Sequence, residues 1–263
     1  FIIVSIPSFS QKVYEAIVYD TAEYRVTYNM RAQLDSTNPE WIINREAYLF
    51  IGDECSKFIS KGKFEYDTIV AHYKTLDRLC EYFNGRVVQP VGFLYTIIKN
   101  VPKGKQSHHR YFMPTHYLLE ESLDLQEWEL HDQVDSIEGY VVRKATCRFG
   151  GREWTAWYTP EIPISDGPYK FNGLPGLILN LYDSHNHYVF EFSEMIKPNK
   201  PVQISVMKSE FVNVSREQFL KAEDNWIESA IATAKARGMA NESIQAIKKR
   251  PKLKNNPIEL DRN

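Results

Sequence analysis

Residues 23–34 alternate in character. Tyr24, Val26, Tyr28, Met30 and Ala32 fall on one face, and Arg25, Thr27, Asn29, Arg31 and Gln33 on the other. A period of two predicts a half-buried strand, and Asp35-Ser36-Thr37-Asn38-Pro39 ends it. Residues 45–51 and 55–59 read as the next strands, with Gly52-Asp53 at the turn between them. Residues 67–80 fit a helical period through Ile69, Val70, Tyr73, Leu76, Leu79 and Cys80, but no strong cap precedes them. Residues 93–99 read as a strand, followed by a turn at 102–105.

Short strands are expected at Tyr111-Phe112, 117–120 and 127–130. Residues 139–149 alternate, and Gly150-Gly151 turns the chain back into Glu153-Trp154-Thr155-Ala156-Trp157-Tyr158, which predicts a hairpin. Proline and glycine then cluster. Pro175 presets φ for the first central position of a turn and Gly176 supplies φ > 0 for the second, so Leu174-Pro175-Gly176-Leu177 reads as a type II turn. Leu177, Ile178, Leu179 and Leu181 form a run that is apolar on both faces, as in a strand covered on both sides. Ser184-His185-Asn186 turns the chain, and 187–192 and 202–208 close the strand series. One segment differs: Ser215 with Gln218 three residues on is a capping box. Phe219, Ala222, Trp226, Ala230 and Ala234 follow at helical spacing, and Gly238 suits the C′ position. A helix is expected over about 215–238, and 248–254 reads as a mobile basic tail.

Regular strands without intervening helices predict one mainly β domain over 11–263. Its core element is an antiparallel curved sheet or open half-barrel, with the C-terminal helix packed on it. By fold-level analogy alone it is similar to the LolA/LolB lipoprotein carriers.

Composition changes this picture little. The chain has 263 residues, 43% apolar and 25% charged, with 16 Tyr, 14 Phe and 5 Trp. Aromatics suit half-buried pleated surfaces. A net charge of −2 gives no electrostatic case for nucleic acid. Residues 1–10 have an apolar core and then Ser8 and Ser10, and are read as the remnant of an export signal, with a buried first strand as the alternative. No later stretch approaches the roughly 18 apolar residues of a membrane helix. Cys55, Cys80 and Cys147 lack CxxC spacing, so one pair with one free thiol, or three unpaired thiols, both remain open.

Residues 151–163, Gly167-Pro168 and 171–178, containing Gly173-Leu174-Pro175-Gly176-Leu177-Ile178, together resemble the GLPGLI family of Bacteroidetes. The ending Asn256-Pro257-Ile258-Glu259-Leu260 also resembles that family's C-terminus. The resemblance implies an exported protein of the periplasm, or of the periplasmic face of the outer membrane. It also implies a setting near TonB-dependent outer-membrane transporters, and supplies no catalytic residues.

The candidate chemistry is sparse. His108-His109 with His116, and His185 with His187, lack defined metal-ligand spacing and are read as incidental surface histidines, so no metal and no cofactor is assigned. Asp132, Asp135, Glu138, Glu153 and Glu161 read as solvated acids. No Gly-x-Ser-x-Gly context supports a hydrolase. Trp154 and Trp157 fall on opposite faces of one strand and, with Tyr158, are the candidate binding residues. The expected function is therefore a non-enzymatic carrier, its groove enclosed by sheet and helix and holding a lipid, lipoprotein or hydrophobic peptide. The alternatives are an accessory subunit docking on a TonB-dependent transporter or assembly complex, and an uncharacterised hydrolase or metalloprotein.

Overall fold

A computed structural model describes residues 15–73, 82, 93, 95–112, 114–236, 238, 241–249 and 256–261. The signal-like residues 1–10, the helical positions Leu76, Leu79 and Cys80, and residues 250–254 of the basic tail lie outside this set. Fourteen strands and three helices are described. They are β1 (Ala16–Thr21), β2 (Tyr24–Gln33), β3 (Ile42–Ile51), β4 (Ser56–Ser60), α1 (Lys61–Tyr73), β5 (Tyr95–Lys99), β6 (Lys105–Phe112), β7 (Thr115–Ser122) and β8 (Glu129–Ile137). They continue as β9 (Tyr140–Phe149), β10 (Arg152–Thr159), β11 (Leu177–Asp183), β12 (Tyr188–Ile196), β13 (Gln203–Met207), β14 (Phe211–Val214), α2 (Arg216–Ala236) and α3 (Asn241–Lys249).

Twelve strands form one curved sheet in the order β14-β7-β6-β5-β4-β3-β2-β12-β11-β10-β9-β8. All pairs are antiparallel except β14 with β7. The mainly β, curved-sheet expectation is met. β1 and β13 form a separate two-stranded ribbon.

The predicted alternation of β2 decides which face is inner. Val26, Tyr28, Met30 and Ala32 are buried in the main core with Ala47, Leu49, Phe58, Ile97, Phe190 and Leu181 from neighbouring strands. The hairpin of β9 and β10 turns on Gly150 and Gly151 at φ +61° and +72°, in the left-handed region that favours glycine. On the outer face, Tyr48, Phe50, Ile59 and Ile98 meet Ile204 and Val206 of the ribbon and Phe64 of α1. The sheet is thus covered on both sides.

That double cover explains the missed β6. Only its last two residues, Tyr111-Phe112, are expected as strand from the sequence, yet Gln106, Ser107, His108 and His109 are all buried in it. The surface-histidine reading of His108 and His109 is therefore corrected. α1 begins at Lys61, six residues before the expected start.

α2 opens on the predicted capping box. Gln218 N–H donates to Ser215 Oγ at 3.3 Å, and Ser215 N–H donates to Gln218 Oε1 at 3.0 Å. Its Phe219 and Leu220 pack on Phe112 and Leu119 of β6 and β7. Lys248 belongs to α3, and Asn256 and Glu259 are buried. The segment after the basic tail is therefore held by the fold. Cys55 and Cys147 are free and buried, while Cys80 lies outside the described residues. Among the described residues, no helix is long and apolar enough to cross a membrane.

Candidate functional site

The connection from β10 to β11, residues 160–176, crosses the inner face as a plug. Lys99 of β5, 3% exposed, spends all three ammonium hydrogens on it. They go to Asp166 Oδ1 at 2.6 Å, Gly167 O at 2.7 Å and Phe171 O at 2.8 Å. From the other side Trp128 donates to Asn172 O at 2.7 Å, and Asn172 donates to Leu123 O at 3.1 Å. Tyr169, Phe171 and Leu174 enter the main core. The inner face, where an open groove was expected, is filled by this segment.

The hexapeptide ends the plug, and its turn differs from the type II expectation. Gly176 N–H donates to Leu174 O at 2.8 Å, which closes a three-residue turn on Pro175. Leu177 N–H goes instead to Ile162 O at 3.0 Å. Gly176 is needed for space as well as φ. It sits at φ +150°, and a Cβ there would lie 2.1 Å from Thr159 O. Leu177, Ile178, Leu179 and Leu181 are fully buried, as a doubly covered strand requires.

Residues 256–261 form a clasp over the end of the sheet. Arg152 at the start of β10 donates to Asp183 Oδ2, Asn256 Oδ1, Pro257 O and Ile258 O. Asn256 donates to Gln33 O at 2.6 Å, and the Tyr188 hydroxyl donates to Asn256 O at 2.8 Å. Leu260 N–H reaches Gly150 O at 2.6 Å. A Cβ on Gly150 would lie 2.9 Å from Glu259 Cγ, so the glycine turn also makes room for the clasp.

Clasp, plug, β7 and α2 meet in a buried charge cluster. Lys170, 1% exposed, donates to Glu121 at 2.5 Å and pairs with Glu259 at 2.7 Å. Arg216 of α2 binds Glu259 and Glu121, and the Tyr169 hydroxyl donates to Glu259 at 2.5 Å. Burial alone would raise the Glu259 pKa, but Lys170 and then Arg216 outweigh it and hold the carboxyl well below its ordinary range. Beside this cluster lies a cavity of about 60 Å³ lined by Tyr95, His108, Arg110, Tyr169 and Glu259, among others. The Tyr95 hydroxyl and both His108 ring nitrogens have no hydrogen-bond partner among the described residues. At about 30 Å³ per water the space suits about two waters, far less than an acyl chain needs.

The three candidate binding residues do not share a surface. Trp154 is buried against Phe171, with ring centroids 4.7 Å apart, and donates to Phe149 O. Tyr158 is buried in the same core, and Trp157 is half-buried and donates to the Tyr182 hydroxyl at 3.4 Å. The acids Asp132, Asp135, Glu138, Glu153 and Glu161 are exposed, as expected. His185 and His187 stack at 5.3 Å, and their ligand atoms lie within 4.8 Å of each other and of Asp183. Asp183, however, already accepts from Arg152 at 2.8 Å and from Tyr188 N–H at 2.8 Å. A cation there would face the guanidinium.

A roomier cavity lies on the outer face, between α1 and the β1–β13 ribbon. It measures about 400 Å³, within the range of small-molecule sites. Ala16, Phe64, Ala71, Val202 and Met207 supply apolar wall, and Lys57, Asp67, Gln203 and Ser205 supply the polar groups. β4 positions Lys57, because strand alternation sends Phe58 inward and Lys57 and Ile59 outward. Burial pushes the Lys57 ammonium down to about 8, with Asp67 opposing and Lys63 assisting. Nothing in the sequence marked this pocket. Its walls come from segments more than a hundred residues apart, and Lys57 is there one residue within the strand expected over 55–59.

A family model described as a protein of unknown function (Porph_ging) matches residues 149–180, the hairpin turn, β10, the plug and the start of β11. No curated protein matches the chain. Among solved structures, PNGF-II in the P21 space group is similar at a TM-score of 0.52 and 15% identity, over 78% of this chain and 33% of that one. PNGF-II in the C2 space group gives a TM-score of 0.48 and 14% identity, over 78% and 32%. This chain therefore spans about a third of the length of the PNGF-II chain it matches. The family match thus falls on the plug and its two flanking strands, and the chain shares a β-rich fold with part of PNGF-II.

Proposed function

We propose that this chain is an exported, non-enzymatic protein of the cell envelope, assigned to the GLPGLI family, that holds an apolar small molecule between α1 and the β1–β13 ribbon. The observation that carries the reading is the outer-face cavity of about 400 Å³ with its largely apolar wall. Its size suits a single aliphatic chain better than a multiply acylated lipoprotein end. The plugged inner face, with its 60 Å³ cavity, favours this site over the groove the half-barrel analogy suggests. The resemblance of 151–178 and 256–260 supports the exported setting.

Native mass spectrometry of protein purified without detergent tests this reading. The expected spectrum contains a low-mass apolar adduct, or one formed on adding dodecanol. Bare protein in both samples overturns the proposal. A second reading is an accessory subunit docking on an outer-membrane transporter. It draws on β8 at the edge of the described sheet, where Leu130 and Val134 are each 56% exposed beside backbone groups that no described strand pairs.

A further inference from the structure

We propose that the cavity between α1 and the β1–β13 ribbon selects an aliphatic monocarboxylate, and that Lys57 holds its carboxylate. This rests on the reading that the cavity takes an apolar ligand.

Two ionisable side chains line it, Lys57 and Asp67. Both Asp67 oxygens accept from Lys63 one helical turn away, at 2.9 and 2.8 Å. Asp67 therefore has little left for a cationic ligand. Thr68 donates its hydroxyl to Phe64 O at 2.8 Å within α1. Lys57 is different. It is 3% exposed, and its described partner is Ser205 O at 2.5 Å. An ammonium has three donors, so two N–H groups remain for a ligand. A buried charge with unmet donors is costly, and a carboxylate supplies both the missing charge and the acceptors.

The groups facing Lys57 fit this assignment. Lys63 and Asp67 of α1 pair with each other. His109 of β6 is held neutral by burial, with Lys57 and Lys63 adding to the effect, its pKa pushed down to about 4. Ser205 of β13 accepts from Lys57 through its carbonyl, and its hydroxyl and the Gln203 amide are neutral. No described group next to Lys57 leaves a free negative charge, so the ligand must bring one. Phe64, Ala71, Val202 and Met207 then take the chain.

The test compares dodecanoate with dodecanol by isothermal titration calorimetry on the full chain and on Lys57→Met. Replacing a buried ion by an apolar residue of similar length is often tolerated. The wild type is expected to prefer dodecanoate by about tenfold or more, the worth of one charge-assisted hydrogen bond. Lys57→Met is expected to lose that preference and keep its dodecanol affinity. In the wild type the preference should also fall between about pH 7 and about pH 9.5 as the ammonium deprotonates, which tests the same claim without a variant. Equal binding of the two ligands by wild type, or a preference that survives in Lys57→Met, overturns the carboxylate assignment and leaves the apolar pocket standing. Failure of both ligands to bind overturns the pocket reading itself and the assignment with it.

Discussion

Tyr169 and Glu259, ninety residues apart, are joined by a 2.5 Å hydrogen bond from phenol to carboxylate. With the adjacent Lys170–Glu259 pair at 2.7 Å, it ties the plug on the inner face to the clasp. The segment matched by the family model and the C-terminal ending are therefore one structural unit, and both stand apart from the outer-face cavity.

Glu259→Gln should destabilise the protein by about 3–5 kcal/mol, because Lys170 and Arg216 would then lack one of their buried counter-charges. The pH dependence follows from the sign of the shift. The Glu259 pKa is depressed in the fold, so its contribution is complete above the ordinary value of 4.5 and is lost as pH falls below it. Urea unfolding at a series of acidic pH values should show a steep loss in wild type and a shallower one in Glu259→Gln. Equal slopes would contradict the cluster's role.

Gly176→Ala should cost about 2 kcal/mol or more, since overpacking and backbone strain act together. The added methyl would meet Thr159 O at 2.1 Å. Thermal melts should move down by roughly 2–4 °C for each kcal/mol at this chain length. An unchanged midpoint would contradict the close approach of 159 and 176.

Below the ordinary imidazole value of 6.5, the unfolded chain protonates histidines that the fold keeps neutral. His109 is held at about 4, and His108 is held well below 6.5 by burial and then by Lys170. The unfolded state then binds more protons, so stability falls as pH drops from 6.5 toward 4, by about 1.4 kcal/mol per pH unit for each such histidine. His109→Asn should remove one histidine's share of that slope in denaturant titrations.

Arg152→Lys should free the clasp without removing the charge. Lysine cannot reproduce the fan of donors that reaches Asp183, Asn256, Pro257 and Ile258. Amide exchange at Leu260, whose N–H reaches Gly150 O, should accelerate more than at Leu181 in the main core. Equal acceleration at both sites would mean that the whole fold, and not the clasp, had loosened.

Local chemistry was legible in the sequence wherever one element carries it alone. Ser215 with Gln218 announces α2, Gly150-Gly151 announces the β9–β10 hairpin, and the alternation in 23–34 announces β2. The type II turn at Pro175-Gly176 failed because Leu177 N–H finds Ile162 O, a partner set by the path of the plug. β6 was illegible for the same kind of reason. His108 and His109 look solvated until a layer covers each face of the sheet. The buried charges were hidden furthest, since Lys170 meets Glu121 across 49 residues and Arg152 meets Asn256 across 104. Strand periodicity carries no record of such pairings. The outer-face pocket depends on α1 and β13 meeting, which no local pattern states.

Filling that pocket is the most direct test of its role. Ala71 of α1 lines it and is only half-buried, so Ala71→Trp can occupy the space without disturbing the main core. Calorimetric titration with dodecanol should show binding to wild type that weakens by about tenfold or more in Ala71→Trp, with the two proteins melting alike. Dodecanol binding of equal strength in both would contradict the account.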